Sequence, residues 1–268
     1  MTQLIFKEEP HLYQTVGEES VKWTSVTSLI ERYGNPFDDV TMAEKVAGKK
    51  KYRKLDAEEV LDLWHMENKR STEMGTKFHA IKENELYEDK TLELPIFRCQ
   101  SDNEGNKLSG SPVLEEGYYP ELLVFFESAK ICGQSDLVCV KDNKVHILDY
   151  KTNKRLDFNS FNDYKKGRLM MFPPVNNLED CNFNHYQLQL SMYMYIILQQ
   201  NPKLSPGSLI IDHYQFEKEG DDEYDYPIYK FDSYGNPIVK EKKRYTCKYM
   251  QREVKRIIEN FVENDKVI

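Results

Sequence analysis

Two acidic residues and a lysine in the middle of the chain have the types and the spacing for metal-assisted chemistry. Asp149 and Lys151 are separated only by Tyr150 in an apolar segment. Because alternate side chains of a β-strand share a face, we expect Asp149 and Lys151 to project together while Tyr150 points away. A turn signal at residues 142–143 would fold the preceding segment back as a hairpin, which brings Asp136 alongside Asp149.

Two carboxylates that face one pocket suit Mg²⁺ or Mn²⁺, because these hard cations prefer oxygen ligands and keep several waters for exchange. A lysine beside such an ion can orient the attacking water or stabilise charge on a phosphate. The alternative is a surface hairpin with a solvated Asp–Lys pair, which any triplet of this type satisfies.

A helical pattern earlier in the chain supplies a histidine. Gly75, His79 and Glu83 follow at i, i+4 spacing and therefore stack on one face of the predicted helix. Gly75 would allow close approach of a neighbouring segment, and His79 can act as a metal ligand. A lone helical histidine is more often a packing or surface residue, so that alternative stays open.

A second helical pattern carries polar groups within an apolar segment. His185, Gln189 and Tyr193 share one face of the helix predicted over residues 185–200. Polar residues on such a helix indicate either part of a functional site, or a buried glutamine satisfied by backbone groups next to a core tyrosine.

The elements that must position these residues follow from periodicity and from capping and turn signals. A hairpin is predicted from residues 4–6 and 11–16, with helices after Ser25 or Thr27, after Asp38 or Asp39, after Asp56, and over residues 73–87 after Ser71-Thr72. Strands are predicted over residues 121–127, 133–140, 145–151, 208–216 and 226–231, the first three as an antiparallel meander, with helices over 185–200 and 246–262. Residues 100–117 are expected to form an exposed loop, and residues 152–184 a flexible functional segment.

This order of helices and strands implies an α/β fold with a mixed central sheet flanked by helices. We expect a single domain over residues 1–268, with a hairpin and helical extension in residues 1–72 and the core in residues 73–268. No run of 18 apolar residues and no signal-peptide pattern is found in the sequence, so a cytoplasmic protein without a membrane partner is expected. The five cysteines are scattered and never form a CxxC pair, which argues against a zinc site or a disulfide framework.

Five motifs in the order of the chain resemble the motif series of RecB-type PD-(D/E)XK nucleases. They are Gly75-x-x-x-His79, Glu121, Gly133-x-x-Asp136, Asp149-Tyr-Lys151-Thr152 and Gln189-x-x-x-Tyr193, and they span residues 75–195, about half the chain. One departure is that Ser135, rather than proline, precedes Asp136. The opening His11-x-Tyr13 and residues 23–27 also resemble the N-terminal region of phage-encoded members.

The resemblance implies a PD-(D/E)XK, restriction-endonuclease-like fold and a role for each matching residue. His79, Asp136 and Asp149, with the main-chain carbonyl of Tyr150, would bind Mg²⁺ or Mn²⁺, and Lys151 would be the catalytic lysine. Glu121 occupies a strand position where members often carry an acid. Gln189 and Tyr193 match a helix motif near the active site and the bound DNA. Cysteines are absent from the cluster positions of the iron–sulfur members, so no iron–sulfur cluster is expected.

The implied activity is hydrolysis of DNA phosphodiester bonds in phage or bacterial recombination, replication or repair. An exonuclease acting on double-stranded ends is the first expectation. An endonuclease of the same fold and a catalytically silent DNA-binding or interaction module are the alternatives. A recombination or replication partner protein and a homo-oligomer are open partner hypotheses, and for a phage-encoded protein the location is the host cytoplasm.

A net charge of −8 disfavours a nucleic-acid partner unless basic residues gather locally. The segment after the catalytic strand carries such a group, which we expect to track the DNA backbone: Lys154, Arg155, Lys165, Lys166 and Arg168. The alternative is a solvated loop whose charges only aid solubility.

Overall fold

The fold is built on a mixed sheet with helices packed on it. The computed structural model describes residues 2–9, 11–18, 20–163 and 167–265. The first third contains β1 (Leu4–Lys7), β2 (Leu12–Thr15), β3 (Thr24–Ser25), α1 (Val26–Glu31), α2 (Asp39–Val46) and α3 (Ala57–Glu88). The middle contains β4 (Gln100–Ser101), β5 (Lys107–Leu108), β6 (Gly117–Phe126), β7 (Ile131–Lys141), β8 (Lys144–Lys151), β9 (Asn162–Asp163), β10 (Gly167–Arg168) and α4 (Asn182–Gln200). The last part contains β11 (Ser205–Phe216), β12 (Lys218–Asp221), β13 (Pro227–Tyr229), β14 (Val239–Cys247) and α5 (Gln251–Asp265).

The central sheet has the order β14-β11-β8-β7-β3, and β6 also pairs with β7. The β8–β11 and β3–β7 pairs are parallel and the others are antiparallel, so the sheet is mixed. The predicted α/β architecture with a mixed central sheet and helices is therefore confirmed at this level. None of the helices in the described residues is long and apolar enough to cross a membrane.

The predicted meander β6-β7-β8 is confirmed, because all of its neighbouring pairs are antiparallel. Asp142 and Asn143 both adopt positive φ angles, of 52° and 58°, as a two-residue hairpin turn requires. The β7–β8 ladder ends with the pair Leu137 and Leu148. The next residues in this register are Asp136 and Asp149, so the hairpin brings the two predicted carboxylates to one end of the ladder.

Helix α3 corrects the prediction that a new helix begins after Ser71-Thr72. Asp56 and Glu59 form a capping box at its N-terminus, and the helix then continues for 32 residues. The Thr72 hydroxyl donates to the carbonyl of Asn68 at 3.0 Å, so its side chain is satisfied inside the helix instead of capping a new one. The boundary at residue 72 between the expected extension and the expected core falls inside α3.

The N-terminal hairpin is confirmed, and it joins a second sheet with the order β2-β1-β5-β4. Residues 100–117, expected to form an exposed loop, supply both β4 and β5. The Leu4 amide donates to the Ser109 hydroxyl at 2.8 Å, and both residues are buried. The loop prediction was wrong because its polar composition concealed pairing with a distant strand.

The chain after β8 also differs from expectation. The segment expected to be flexible, residues 152–184, contains β9 and β10, and it inserts Met171 and Val175 into the main core. Strand β14 was not predicted, because an exposed edge strand rich in lysine lacks the apolar alternation of a buried one. Residue Thr246, the predicted start of the terminal helix, belongs to β14, and that helix begins at Gln251.

Candidate active site

The candidate active site lies at the end of the β7–β8 ladder. The carboxylate of Asp136 accepts a hydrogen bond from the Tyr150 amide at 2.7 Å. This side chain therefore takes the place of the main-chain carbonyl that would accept the next hydrogen bond of the β7–β8 ladder. It lies at the open end of the hairpin, opposite the turn. Strand β8 continues to pair with β11 as far as Lys151, which is in register with His213. The sheet thus holds Asp149 and Lys151 rigidly beside Asp136.

Three side chains from separate elements converge beside this point and form what we call the metal cluster: His79 of α3, Glu121 of β6 and Asp136 of β7. One ligand atom from each lies within 4.8 Å of the other two. Ligands on opposite sides of one Mg²⁺ ion are about 4.2 Å apart, twice the ligand distance of roughly 2.1 Å. Small side-chain adjustments would bring the three atoms onto a single ion.

The histidine of the metal cluster is oriented by the main chain. His79 Nε2 donates to the carbonyl of Tyr150 at 3.0 Å, because a carbonyl only accepts. Its Nδ1 faces the carboxylate of Asp136 at 3.5 Å. In the neutral ring this leaves a lone pair on Nδ1 directed into the cluster, the arrangement typical of metal-ligating histidines. The carbonyl of Tyr150, predicted to bind the metal, accepts this hydrogen bond from His79 in the structure.

The backbone at Glu121 is irregular. Its φ of 51° is in the left-handed region, and it interrupts the pairing of β6 with β7 between Pro120 and Leu122. Such a conformation is uncommon for a non-glycine residue in a strand and is often found at functional sites. The carboxylate accepts a hydrogen bond from Gln134 and lies 3.3 Å from Nζ of Lys107.

Burial, together with the nearby charge of Asp136, raises the pKa of Glu121 to about 7. The ammonium of Lys107 opposes both effects. The metal cluster therefore holds two carboxylates that repel each other, and a cation bound between them would relieve that repulsion.

Asp149, which the resemblance implied as a metal ligand, does not belong to the group of His79, Glu121 and Asp136 and pairs with Lys151 instead. Asp149 and Lys151 form the second part of the site, which we call the buried pair. Nζ of Lys151 lies 2.6 Å from a carboxylate oxygen of Asp149, and Asp149 is only 2% exposed. Burial raises the pKa of Asp149 to about 6, and the charge of Lys151 opposes this rise. The alternative of a solvated Asp–Lys pair on a surface hairpin is therefore excluded.

The lysine of the buried pair is held in its charged form. Burial alone would lower the pKa of Lys151, but the carboxylates of Asp149 and Asp136 outweigh burial and raise it. Its ammonium also lies 4.5 Å from the centre of the Tyr186 ring. A lysine in this environment acts as a hydrogen-bond donor and a positive charge, and it does not act as a base.

The two residues of the helix motif differ in burial. Tyr193 is 3% exposed, and a Cβ added at Gly133 would lie 2.7 Å from its ring. Gln189 is half-buried and donates to the Tyr193 hydroxyl at 3.1 Å. Contrary to the DNA-binding prediction, Tyr193 packs in the core against β7, because only glycine at position 133 leaves room for its ring. This is the core-tyrosine alternative that the sequence left open.

The surroundings of Gly75 and His146 are also clear. A Cβ at Gly75 would meet Thr152 at 3.5 Å, an ordinary contact, so close approach does not require this glycine. His146 lies on β8 at odd spacing from Asp149, and its Nδ1 lies 2.9 Å from the Ser208 hydroxyl. His146 therefore makes a hydrogen bond to β11 on the face of β8 that points away from the buried pair.

The basic residues expected to track DNA hold local partners. Lys154 forms an ion pair with Glu67 at 2.9 Å, and Arg155 forms one with Asp157 at 2.8 Å. Arg168 donates to the carbonyl of Ser160 at 2.5 Å. Lys165 and Lys166 lie outside the described residues. The role of these basic residues in DNA binding stays a prediction.

Lys107 and Gln134 contact the carboxylate of Glu121, and neither residue was predicted from the sequence to lie in the site. Gln134 lies two residues before Asp136, so strand alternation offered a signal for it. Lys107 had no local signal, because it reaches the site only through the pairing of β5 with β1.

The donor set of the metal cluster fits a divalent cation. Two carboxylates and one imidazole suit Mn²⁺, and the carboxylates suit Mg²⁺. Each of the three side chains is partly accessible, which leaves room for waters and a substrate oxygen. Comparison with protein-family models found no match to this chain, and comparison with curated proteins found none either.

Proposed function

We propose that this chain is a metal-dependent deoxyribonuclease of the PD-(D/E)XK type that hydrolyses phosphodiester bonds in DNA. The observation that supports the proposal most directly is the convergence of the metal cluster on the buried pair at the end of the β7–β8 ladder. A site for hydrolysis of phosphate diesters needs carboxylates for a hard cation and a fixed positive charge near the phosphate, and both are present.

His79, Glu121 and Asp136 would hold Mg²⁺ or Mn²⁺. When bound, such an ion lowers the pKa of a coordinated water and polarises the phosphate. Lys151 donates to a phosphate oxygen or to the attacking water, because its ammonium stays charged at neutral pH. Asp149 holds that ammonium in place at 2.6 Å.

The proposal is tested by digestion of two DNA substrates with Mg²⁺: a linear duplex labelled at both ends and a closed circle. Release of mononucleotides from the linear duplex alone indicates an exonuclease, and linearisation of the circle indicates an endonuclease. Both activities should disappear in EDTA and in Asp136→Asn. If the wild-type chain, folded and supplied with Mg²⁺ or Mn²⁺, leaves both substrates intact, the proposal is wrong.

A further inference from the structure

A cavity of about 370 Å³ opens directly beyond the buried pair, where β8 and β11 end. Its wall begins at Thr152, the residue after Lys151, and continues to Lys154. On β11, Gln215 lines the cavity. Gln215 lies two residues after His213, which is in register with Lys151. Because a strand rises about 3.3 Å per residue, this strand-end cavity lies within roughly 10 Å of Lys151.

Lysines from three separate segments line the strand-end cavity. Lys154 follows β8, Lys218 belongs to β12 and Lys240 belongs to β14. The first two hold ion pairs, with Glu67 at 2.9 Å and with Asp221 at 2.6 Å. Lys240 is exposed and has no ion pair within the part of the chain that the structure describes. The cavity therefore presents a cation that is free to meet an anionic ligand.

The acidic residues at the rim do not cancel this charge, because each carboxylate has its own lysine. Asp221 pairs with Lys218, and Asp225 lies 3.4 Å from Lys51. A divalent cation would have to displace both lysines to bind here. A phosphate, in contrast, can bind to Lys240, which has no ion pair among the described residues, without displacing any of these pairs.

Aromatic rings provide the second kind of surface. Phe216 of β11 and Tyr229 of β13 lie edge to face with their ring centres 5.7 Å apart, and Tyr229 is partly exposed. Aromatic faces stack with nucleobases of any sequence. Asn153 also lines the cavity, and its side-chain oxygen is buried with no hydrogen-bond partner among the described residues. That oxygen could accept from an N–H group of a ligand once the side chain turns toward the cavity.

We propose that the strand-end cavity binds one nucleotide of the DNA strand, two or three positions away from the phosphate that is cleaved. Lys240 binds its phosphate and Tyr229 stacks on its base. Successive nucleotides of a strand are about 3.4 Å apart along the helix axis, so roughly 10 Å from Lys151 corresponds to about three nucleotides. The volume is within the range of about 300–1,000 Å³ that holds small ligands. This inference rests on the proposed nuclease function.

The first test measures binding without cleavage. A fluorescent single-stranded oligonucleotide is titrated in EDTA over a series of salt concentrations with the wild type, Lys240→Ala and Lys144→Ala. Lys144 is the matched control, because it is an exposed lysine at the opposite end of β8. We expect Lys240→Ala to raise the Kd and to lower the magnitude of the salt slope by about 0.7, while Lys144→Ala matches the wild type. Equal behaviour of the two variants would overturn the subsite.

The second test locates the base. Oligonucleotides with one abasic site at successive positions from the cleaved bond are digested with Mg²⁺. For the wild type, KM should rise about fivefold or more when the second or third base is missing, and Tyr229→Ala should lose this sensitivity. A wild type that cleaves but shows no such position overturns the subsite alone. A wild type that neither binds nor cleaves any DNA overturns the proposed function.

Discussion

The two parts of the candidate site differ in how they are built and in how they are stabilised. The metal cluster joins His79, Glu121 and Asp136 from a helix and two strands, and its two carboxylates, which are only slightly exposed, repel each other. The buried pair joins Asp149 and Lys151 from one strand, and its opposite charges neutralise each other in the interior.

Because of this difference, substitutions in the two parts of the site should have different effects on activity and on stability. Removing a charge from the metal cluster relieves repulsion, so it should abolish metal use without unfolding the chain. Removing one charge from the buried pair leaves the other buried without a partner, so it should cost stability as well as activity. Variants of the two parts should therefore separate on a plot of activity against stability.

The largest effect is expected from Asp136→Asn. Cleavage should be lost, a much larger effect than the roughly 10- to 100-fold that changes in the outer shell of a metal site cause, because a ligand charge is removed. Stability should stay at the wild-type value or rise, since Asp136 raises the pKa of Glu121 by repulsion and asparagine can still accept from the Tyr150 amide. Cleavage assays and urea denaturation check both expectations. Clear destabilisation would place Asp136 with the buried pair.

Lys151→Met should lower cleavage by about 10²- to 10³-fold, the effect of losing one electrostatic stabiliser. It should also destabilise the chain by about 3 kcal/mol, because Asp149 is left buried without a partner. The double variant Asp149→Asn/Lys151→Met provides the control. It should recover the urea midpoint but not the activity. A single variant as stable as the wild type would show that the pair is not a structural unit.

The pH dependence should arise from the metal cluster. Metal binding needs the carboxylate form of Glu121, whose pKa is raised to about 7, so a bound proton competes with the metal below that pH. The affinity for Mn²⁺, measured from free Mn²⁺ by electron paramagnetic resonance, should therefore rise as the pH increases through about 7. Glu121→Gln should flatten this rise.

Lys107 gives this prediction a second test. Its ammonium lowers the pKa of Glu121, so Lys107→Met should move the midpoint of Mn²⁺ binding to a higher pH, and Lys107→Arg should restore it in part. An unchanged midpoint would remove Lys107 from the site.

The smallest effect is expected from His146→Ala, compared with His79→Ala. His79 belongs to the metal cluster, whereas His146 contacts Ser208 on β11. Mn²⁺ affinity and cleavage should fall in His79→Ala and stay near the wild-type values in His146→Ala. Similar losses in both variants would mean that the two faces of β8 are not functionally distinct.

The placement of Asp136, Asp149 and Lys151 at the centre of the site could be predicted from the sequence, because it depends on local interactions. Strand alternation places Asp149 and Lys151 together, and the turn at residues 142–143 fixes the register that brings Asp136 to the same end of the hairpin. The capping signals at Ser25, Asp38 and Asp56 are local in the same way, and each of these residues caps its helix.

Tertiary structure decided everything that depends on contacts between distant segments. Lys107 becomes a neighbour of Glu121 because β5 pairs with β1 from the start of the chain, and no local pattern encodes this pairing. Tyr193 became a core residue because Gly133 leaves space for its ring. Strand β14 could not be predicted from the sequence because an exposed edge strand needs no apolar face. Periodicity reports which side of an element is buried, but it does not report which distant segment covers that side.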